Sequence, residues 1–282
     1  VTRLTACLSA VILAAVLALA ACQQGEKTVL LRYKFAPGLQ LVYNQDMKRN
    51  VLVARGDSII EKSSTAFKVR VMQTIEEVRD ENTALMREVD SWSYTVPSRE
   101  DTLKRDSVSM ERTMRILMQS DGNVLDVKFD DSDDLPSQNY IKHFMEQGMP
   151  VFPPGEVSPG FSWTQTAKVL LPNENMEAST TYEVVAFVRE AGYDCALLNV
   201  DGNLVIPVEP NPKDSVQRFG VDRIRTTGKM YFAFREGMVV LQRERWIIQG
   251  DYTRVKKSDT ATYDVRIEAD VDYALESRKI TP

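Results

Sequence analysis

The chain has 282 residues, with 35 Lys and Arg against 40 Asp and Glu, a formal charge of −5 and a single histidine. A mildly acidic surface with no basic cluster argues against a nucleic-acid footprint and against charge-driven docking on anionic lipid, and one histidine excludes zinc or non-haem iron sites built from several. The length is enough for one large β domain or two small ones with a proper core.

Residues 1–21 read as a secretory signal. Arg3 is followed by an uncharged run rich in Ala and Leu that ends in Leu19-Ala20-Ala21-Cys22, with polar Gln23-Gln24-Gly25-Glu26 after it. This ending resembles the lipobox of bacterial lipoproteins, in which a cysteine directly after the cleavage point accepts a diacylglyceryl group. The resemblance implies that Cys22 is the lipidated first residue of the mature chain, which is acylated (palmitate-type chains) and held in the cell envelope. An uncleaved spanning helix is the alternative, since Leu4–Ala21 comes close to the ~20 apolar residues such a helix needs, but the Ala- and Leu-dominated run, its one flanking positive charge and its Leu-Ala-Ala-Cys ending before polar residues weigh against it. Gln23 in place of Asp resembles the pattern of lipoproteins sent to the outer membrane, facing the periplasm or the surface, where the organism has two membranes.

Residues 22–28 form a tether, and from there the pattern is period two. Phe67, Val69 and Val71 alternate with Lys68 and Arg70, and Trp92, Tyr94 and Val96 with Ser91, Ser93 and Thr95. Met114, Ile116 and Met118 share a face, as do Val265, Ile267, Ala269, Val271 and Tyr273. Such alternation predicts antiparallel sheet with one wet and one packed face. Hairpin turns are predicted at Asp80-Glu81-Asn82, Asp121-Gly122-Asn123, Asp201-Gly202-Asn203 and Glu236-Gly237.

One segment breaks the rhythm. Tyr140, Ile141, Phe144 and Met145 fall on one side of an amphipathic helix over residues 137–148, capped by Ser137 and stopped by Gly148 and Pro150. It separates a first β half, 29–136, from a second, 149–282. The halves echo one another in order: Pro37-Gly38-Leu39 with Pro159-Gly160-Phe161, Glu77-Val78-Arg79 with Val188-Arg189-Glu190, and Gly122 with Gly237. The expected fold is all-β, two related antiparallel meanders forming curved sheets or half-barrels, with one helix. Any two alternating strands look somewhat alike, which is the alternative to a duplication.

The order Pro-Gly-x-aromatic, long alternating strands and a late hairpin glycine, behind a lipobox, resembles a family of bacterial lipoproteins of unknown function. At the level of architecture it is also distantly similar to periplasmic lipoprotein carriers, in which a helix lies against a curved sheet. Neither resemblance brings a catalytic motif.

The residues offer little chemistry. There is no Gly-x-Ser-x-Gly elbow to use His143 in a triad, and there is no phosphate-binding glycine loop. Asp130-Asp131-Ser132-Asp133-Asp134 lacks EF-hand spacing, so neither metal nor cofactor is expected. Cys195, in an apolar run, reads as a buried structural thiol. The expected role is therefore non-enzymatic binding of a hydrophobic molecule or lipid. Tyr140, Ile141, Phe144 and Met145 would face Met114, Met118 and Trp92 across a pocket, with Met72, Met86 and Met110 as further wall and Tyr94, Trp163, Phe232, Phe234 and Trp246 lining the same space. The alternatives are an ordinary core in which methionine fills gaps, a scaffolding lipoprotein that binds other proteins, and a hydrolase using a carboxylate pair such as Glu183 and Glu244.

Overall fold

The structure, a computed structural model, describes residues 28–95, 108–130, 149–170, 175–208, 217–256 and 259–280. Eleven strands are present among them: β1 (Leu39–Arg55), β2 (Ser58–Asp80), β3 (Thr83–Thr95), β4 (Val108–Gln119), β5 (Val124–Phe129), β6 (Ser162–Leu170), β7 (Asn175–Glu190), β8 (Tyr193–Val208), β9 (Gln217–Ala233), β10 (Met238–Lys256) and β11 (Asp259–Ile280). The alternation runs on without a breaker, so β2 reaches 23 residues and β11 reaches 22, several times the usual ~5–6.

All pairings are antiparallel and the strands form one sheet in the order β5-β4-β3-β2-β1-β11-β10-β9-β8-β7-β6. Each half is a meander, as expected, and the two join edge to edge where β1 pairs with β11, from Leu39 opposite Ile280 to Ala54 opposite Asp264. The sheet is curved and does not close, since β5 and β6 each pair on one side only. The expected helix over 137–148 lies outside the described residues, as does Val96.

The curvature can be read from Phe152. Its N–H donates to the Asp121 carbonyl in the β4–β5 turn at 2.7 Å, and its ring packs tilted against Phe232 of β9, centroids 4.5 Å apart. In a flat sheet those strands would stand ~29 Å apart, six spacings of ~4.8 Å. One phenylalanine bridges them because the sheet wraps around it.

Two irregular segments, residues 28–37 and 149–161, plug the base of this concavity. They pair through Val29 and Val157, at 2.9 and 2.8 Å. The Tyr33 N–H donates to Ser120 and the Lys34 N–H to Gly237, so the first segment links the β4–β5 turn to the β9–β10 turn. Leu31 and Val157 are buried there with Ile116, Met230 and Phe232 in the main core cluster. A smaller cluster of Cys195, Ala233, Met238 and Val240 forms at the hairpin ends. Burial pushes the free Cys195 thiol up to about 12, as befits a structural cysteine.

The two Pro-Gly sequences make equivalent turns. Leu39 N–H bonds Ala36 and Gly38 N–H bonds Ile75; Phe161 N–H bonds Ser158 and Gly160 N–H bonds Val184. Both glycines have positive φ, 73° and 87°, and both partner strands bulge there, at Ile75/Glu77 and Val184/Ala186.

Three of the four expected hairpin turns are present, and Asp201-Gly202-Asn203 is the exception. It runs through the middle of β8 with Gly202 opposite Thr180 and Thr226. A side chain there would press on Thr180 Oγ1 at 3.2 Å, so the glycine serves close inward packing in a continuous strand. The actual β7–β8 turn is Ala191-Gly192, with φ of 47° and 88°.

Candidate functional site

Alternation gives every strand one inward and one outward row. The outward row is ionic, with pairs such as Arg223–Asp251 at 2.9 Å and Arg245–Glu268 at 2.7 Å. Exposed pairs like these contribute ~0–1 kcal/mol each and mainly keep the surface wet. Two shallow polar grooves, about 160 and 390 Å³, lie on this convex side: one between Arg79, Arg115 and Asp126, the other between Thr181, Asn199 and Asp201.

The inward face has three zones. The base is solid: Met114, Ile116 and Met118 are completely or almost completely buried against the plugging segments. Of the residues expected to line a pocket, Met114 and Met118 therefore sit in packed core. Trp92 stands farther along the same face, exposed at the rim, with Arg112 over its ring at 5.6 Å. Met72 faces the other side of β2, where its sulfur accepts from Gln40 Nε2 at 3.4 Å; it is not part of an inward wall. Tyr140, Ile141, Phe144, Met145, His143 and Cys22 lie outside the described residues. So does most of the acidic loop, although Asp130 is held by Arg115.

Above the base comes a polar band. Glu88 and Asp90, on successive inward positions of β3, are both buried. Arg112 of β4, directly opposite Asp90, donates to it, and Gln73 Nε2 donates to Glu88 at 2.7 Å. Burial, with the neighbouring Asp90 charge added, pushes Glu88 up to about 7, against the pull of Gln73 and Arg112. Burial also raises Asp90, and Arg112 opposes it. Tyr43 and Tyr273 stack beside the acids, ring centroids 4.5 Å apart, and desolvation raises both hydroxyls above their ordinary range. Glu244, farther round the face, is raised by burial while it accepts from Gln242 and Trp246.

The third zone is apolar and less covered. Val51 of β1 stands opposite Ile267 of β11, Ile267 opposite Ile248 of β10, Ile248 opposite Ile224 of β9, and Ile224 opposite Leu204 of β8. All five are only partly buried, and none belongs to the packed clusters around the base. Val53 and Val265 extend the row on its outer side. The arrangement makes a smooth aliphatic wall, one side chain per strand, across the concave face.

The hydrolase pair fails on geometry. Glu183 alternates with buried Tyr182 and Val184 and points outward, whereas Glu244 points inward. Among the described residues no group of His, Cys, Asp and Glu is placed to hold a metal ion. Sequence reasoning missed Glu88, Asp90 and Arg112, although their signal was present. Following the alternation from Ala84 and Met86 puts both acids on the apolar face of their strand, and following it from Met114 puts Arg112 there too.

No family model matches the chain, and no curated protein matches it. Among solved structures it is similar to lipovitellin, in a study of that protein's lipid–protein interactions, with 13% identity and a TM-score of 0.47 over 88% of this chain. It spans only 26% of the lipovitellin chain. It is also similar to an exported protein of YmcC-like fold from Bacteroides fragilis, with 14% identity, a TM-score of 0.30, and coverage of 88% of this chain and 99% of that one.

Proposed function

We propose that the chain is an exported, lipid-anchored binding protein whose concave face holds a long hydrophobic molecule. The observation that carries this reading is the row Val51, Ile267, Ile248, Ile224 and Leu204, register partners across five strands that remain partly open while the base beneath them is packed solid. Branched aliphatic side chains left half-covered on an inward face forfeit burial worth ~25 cal/mol per Å², and a contiguous patch of them marks a contact surface. Four spacings of ~4.8 Å make the row ~19 Å long. That exceeds half the ~30 Å hydrocarbon core of a bilayer, so one acyl chain can lie along it.

The anchor in this reading is Cys22, with residues 23–27 as a short leash that keeps the concavity near the membrane surface. The protein would reside in the cell envelope, on the outer membrane where there are two. A membrane tether places a binding face where lipid is abundant, and the polar convex face stays in water.

Native mass spectrometry of the full chain extracted from membranes tests this directly. A non-covalent lipid adduct, released on collisional activation and distinct from any acyl group on Cys22, is expected for the wild type and lost in Ile248→Glu. A bare wild-type protein, or an adduct equally abundant in the variant, would overturn the reading.

A further inference from the structure

At one end of the aliphatic row the inward face changes character. Arg49 lies one inward position before Val51 on β1, and the residues opposite these two on β2 are Thr65 and Ser63. All of them are partly buried. The Nε of Arg49 is shielded from solvent and finds no hydrogen-bond acceptor. Among the described residues Arg49 makes no ion pair, whereas on the same face Arg112 is bonded to Asp90, Arg254 lies over the Tyr263 ring at 5.4 Å, Asp222 accepts from the Tyr252 hydroxyl, and Glu244 accepts from Gln242 and Trp246. Glu61, the inward acid next along β2, stands opposite Val53 and is exposed. A guanidinium held partly out of water without an anion is costly, and its fork of donors matches a carboxylate.

We infer that the bound molecule is a single-chain anionic amphiphile of the fatty-acid type, its carboxylate held by Arg49 with the Ser63 and Thr65 hydroxyls and its tail lying along Val51, Ile267, Ile248, Ile224 and Leu204. This rests on the reading of the concave face given above. It adds the charge of the headgroup, the end of the row at which it sits and the number of tails, since a row one side chain wide accommodates one chain.

The test compares laurate with 1-dodecanol, which share a tail length and differ in charge, binding to the purified full chain as followed by tryptophan fluorescence. Laurate is expected to bind at least about tenfold more tightly than dodecanol. Arg49→Gln should bring laurate to the affinity of dodecanol without moving dodecanol itself, and Arg49→Lys should retain part of the preference. Equal laurate affinity in wild type and Arg49→Gln, or no preference for laurate in the wild type, overturns the headgroup assignment while leaving the apolar face as a binding surface. Loss of dodecanol together with laurate in Arg49→Gln overturns it too, because the residue then shapes the whole face. If neither amphiphile binds the wild type, the reading of the concave face falls with it.

Discussion

Asp90 follows Glu88 on the inward side of β3, and its charge adds to burial in lifting the Glu88 carboxyl to about 7, while Arg112 is spent on Asp90. The ordinary value for glutamate here is 4.5. Between about pH 4.5 and pH 7 the folded chain keeps a proton that the unfolded chain gives up. The contribution of Glu88 is therefore most favourable at low pH and is lost as pH rises through 7. The full swing is roughly 3 kcal/mol. Urea denaturation from pH 5 to pH 8 should show stability falling, and Glu88→Gln should flatten that slope and raise stability at pH 8. An identical slope in the variant would show that Glu88 is not the titrating group.

Arg112 is the only cation bonded to this acid pair among the described residues. Removing it in Arg112→Met leaves Asp90 buried and charged without its partner, which should destabilise the fold by ~3–5 kcal/mol. Adding Asp90→Asn should recover much of the loss, because the orphaned charge goes with it. Chemical denaturation of the two single variants and the double variant measures the coupling; strict additivity would contradict the pairing.

The plug at the base depends on Gly122. Its φ is 99°, and a Cβ there would lie 2.1 Å from the Pro150 carbonyl oxygen and 2.9 Å from the Tyr33 ring. Gly56 has φ of 55° with open space around it. Gly56→Ala should therefore cost only ~1–2 kcal/mol, the price of the backbone conformation, whereas Gly122→Ala should cost roughly 3 kcal/mol or more by lifting residues 149–152 off the β4–β5 turn. Thermal unfolding of the pair decides, and equal melting temperatures would mean that the segment is not wedged there.

Much of this architecture was legible in the sequence, because alternation is a local signal that long strands repeat many times. Met114, Ile116 and Met118 in one row of β4, Val265 to Tyr273 in one row of β11, and the glycine turns at 122 and 237 all stand where the pattern put them. What it could not supply was depth along a strand. Met114 and Val51 are both inward apolar residues, yet one is sealed in the core cluster that the plugging segments complete and the other is partly open, because those segments come from far along the chain. The Gly202 turn was misplaced for a related reason: a glycine demanded by a neighbouring strand's side chains has the same local signature as one demanded by a turn.

The anchor has its own test. Cys22→Ser should shift the protein from the membrane fraction to the soluble fraction and abolish metabolic labelling with palmitate, since serine offers no thiol for the diacylglyceryl group. Retention in the membrane without label would point to a spanning segment instead.

Trp246 reports on whether Val51, Ile267, Ile248, Ile224 and Leu204 form the surface that meets the ligand. It lies on the inward face opposite Ala269, one inward position before Ile248. A fatty acid brominated in mid-chain should quench its fluorescence, measured as the difference between wild type and Trp246→Phe, and Ile248→Glu should abolish the quenching with the fold intact by circular dichroism. Quenching that survives Ile248→Glu, or a Trp246 signal that brominated lipid never touches, would mean that the aliphatic row is not where the ligand lies.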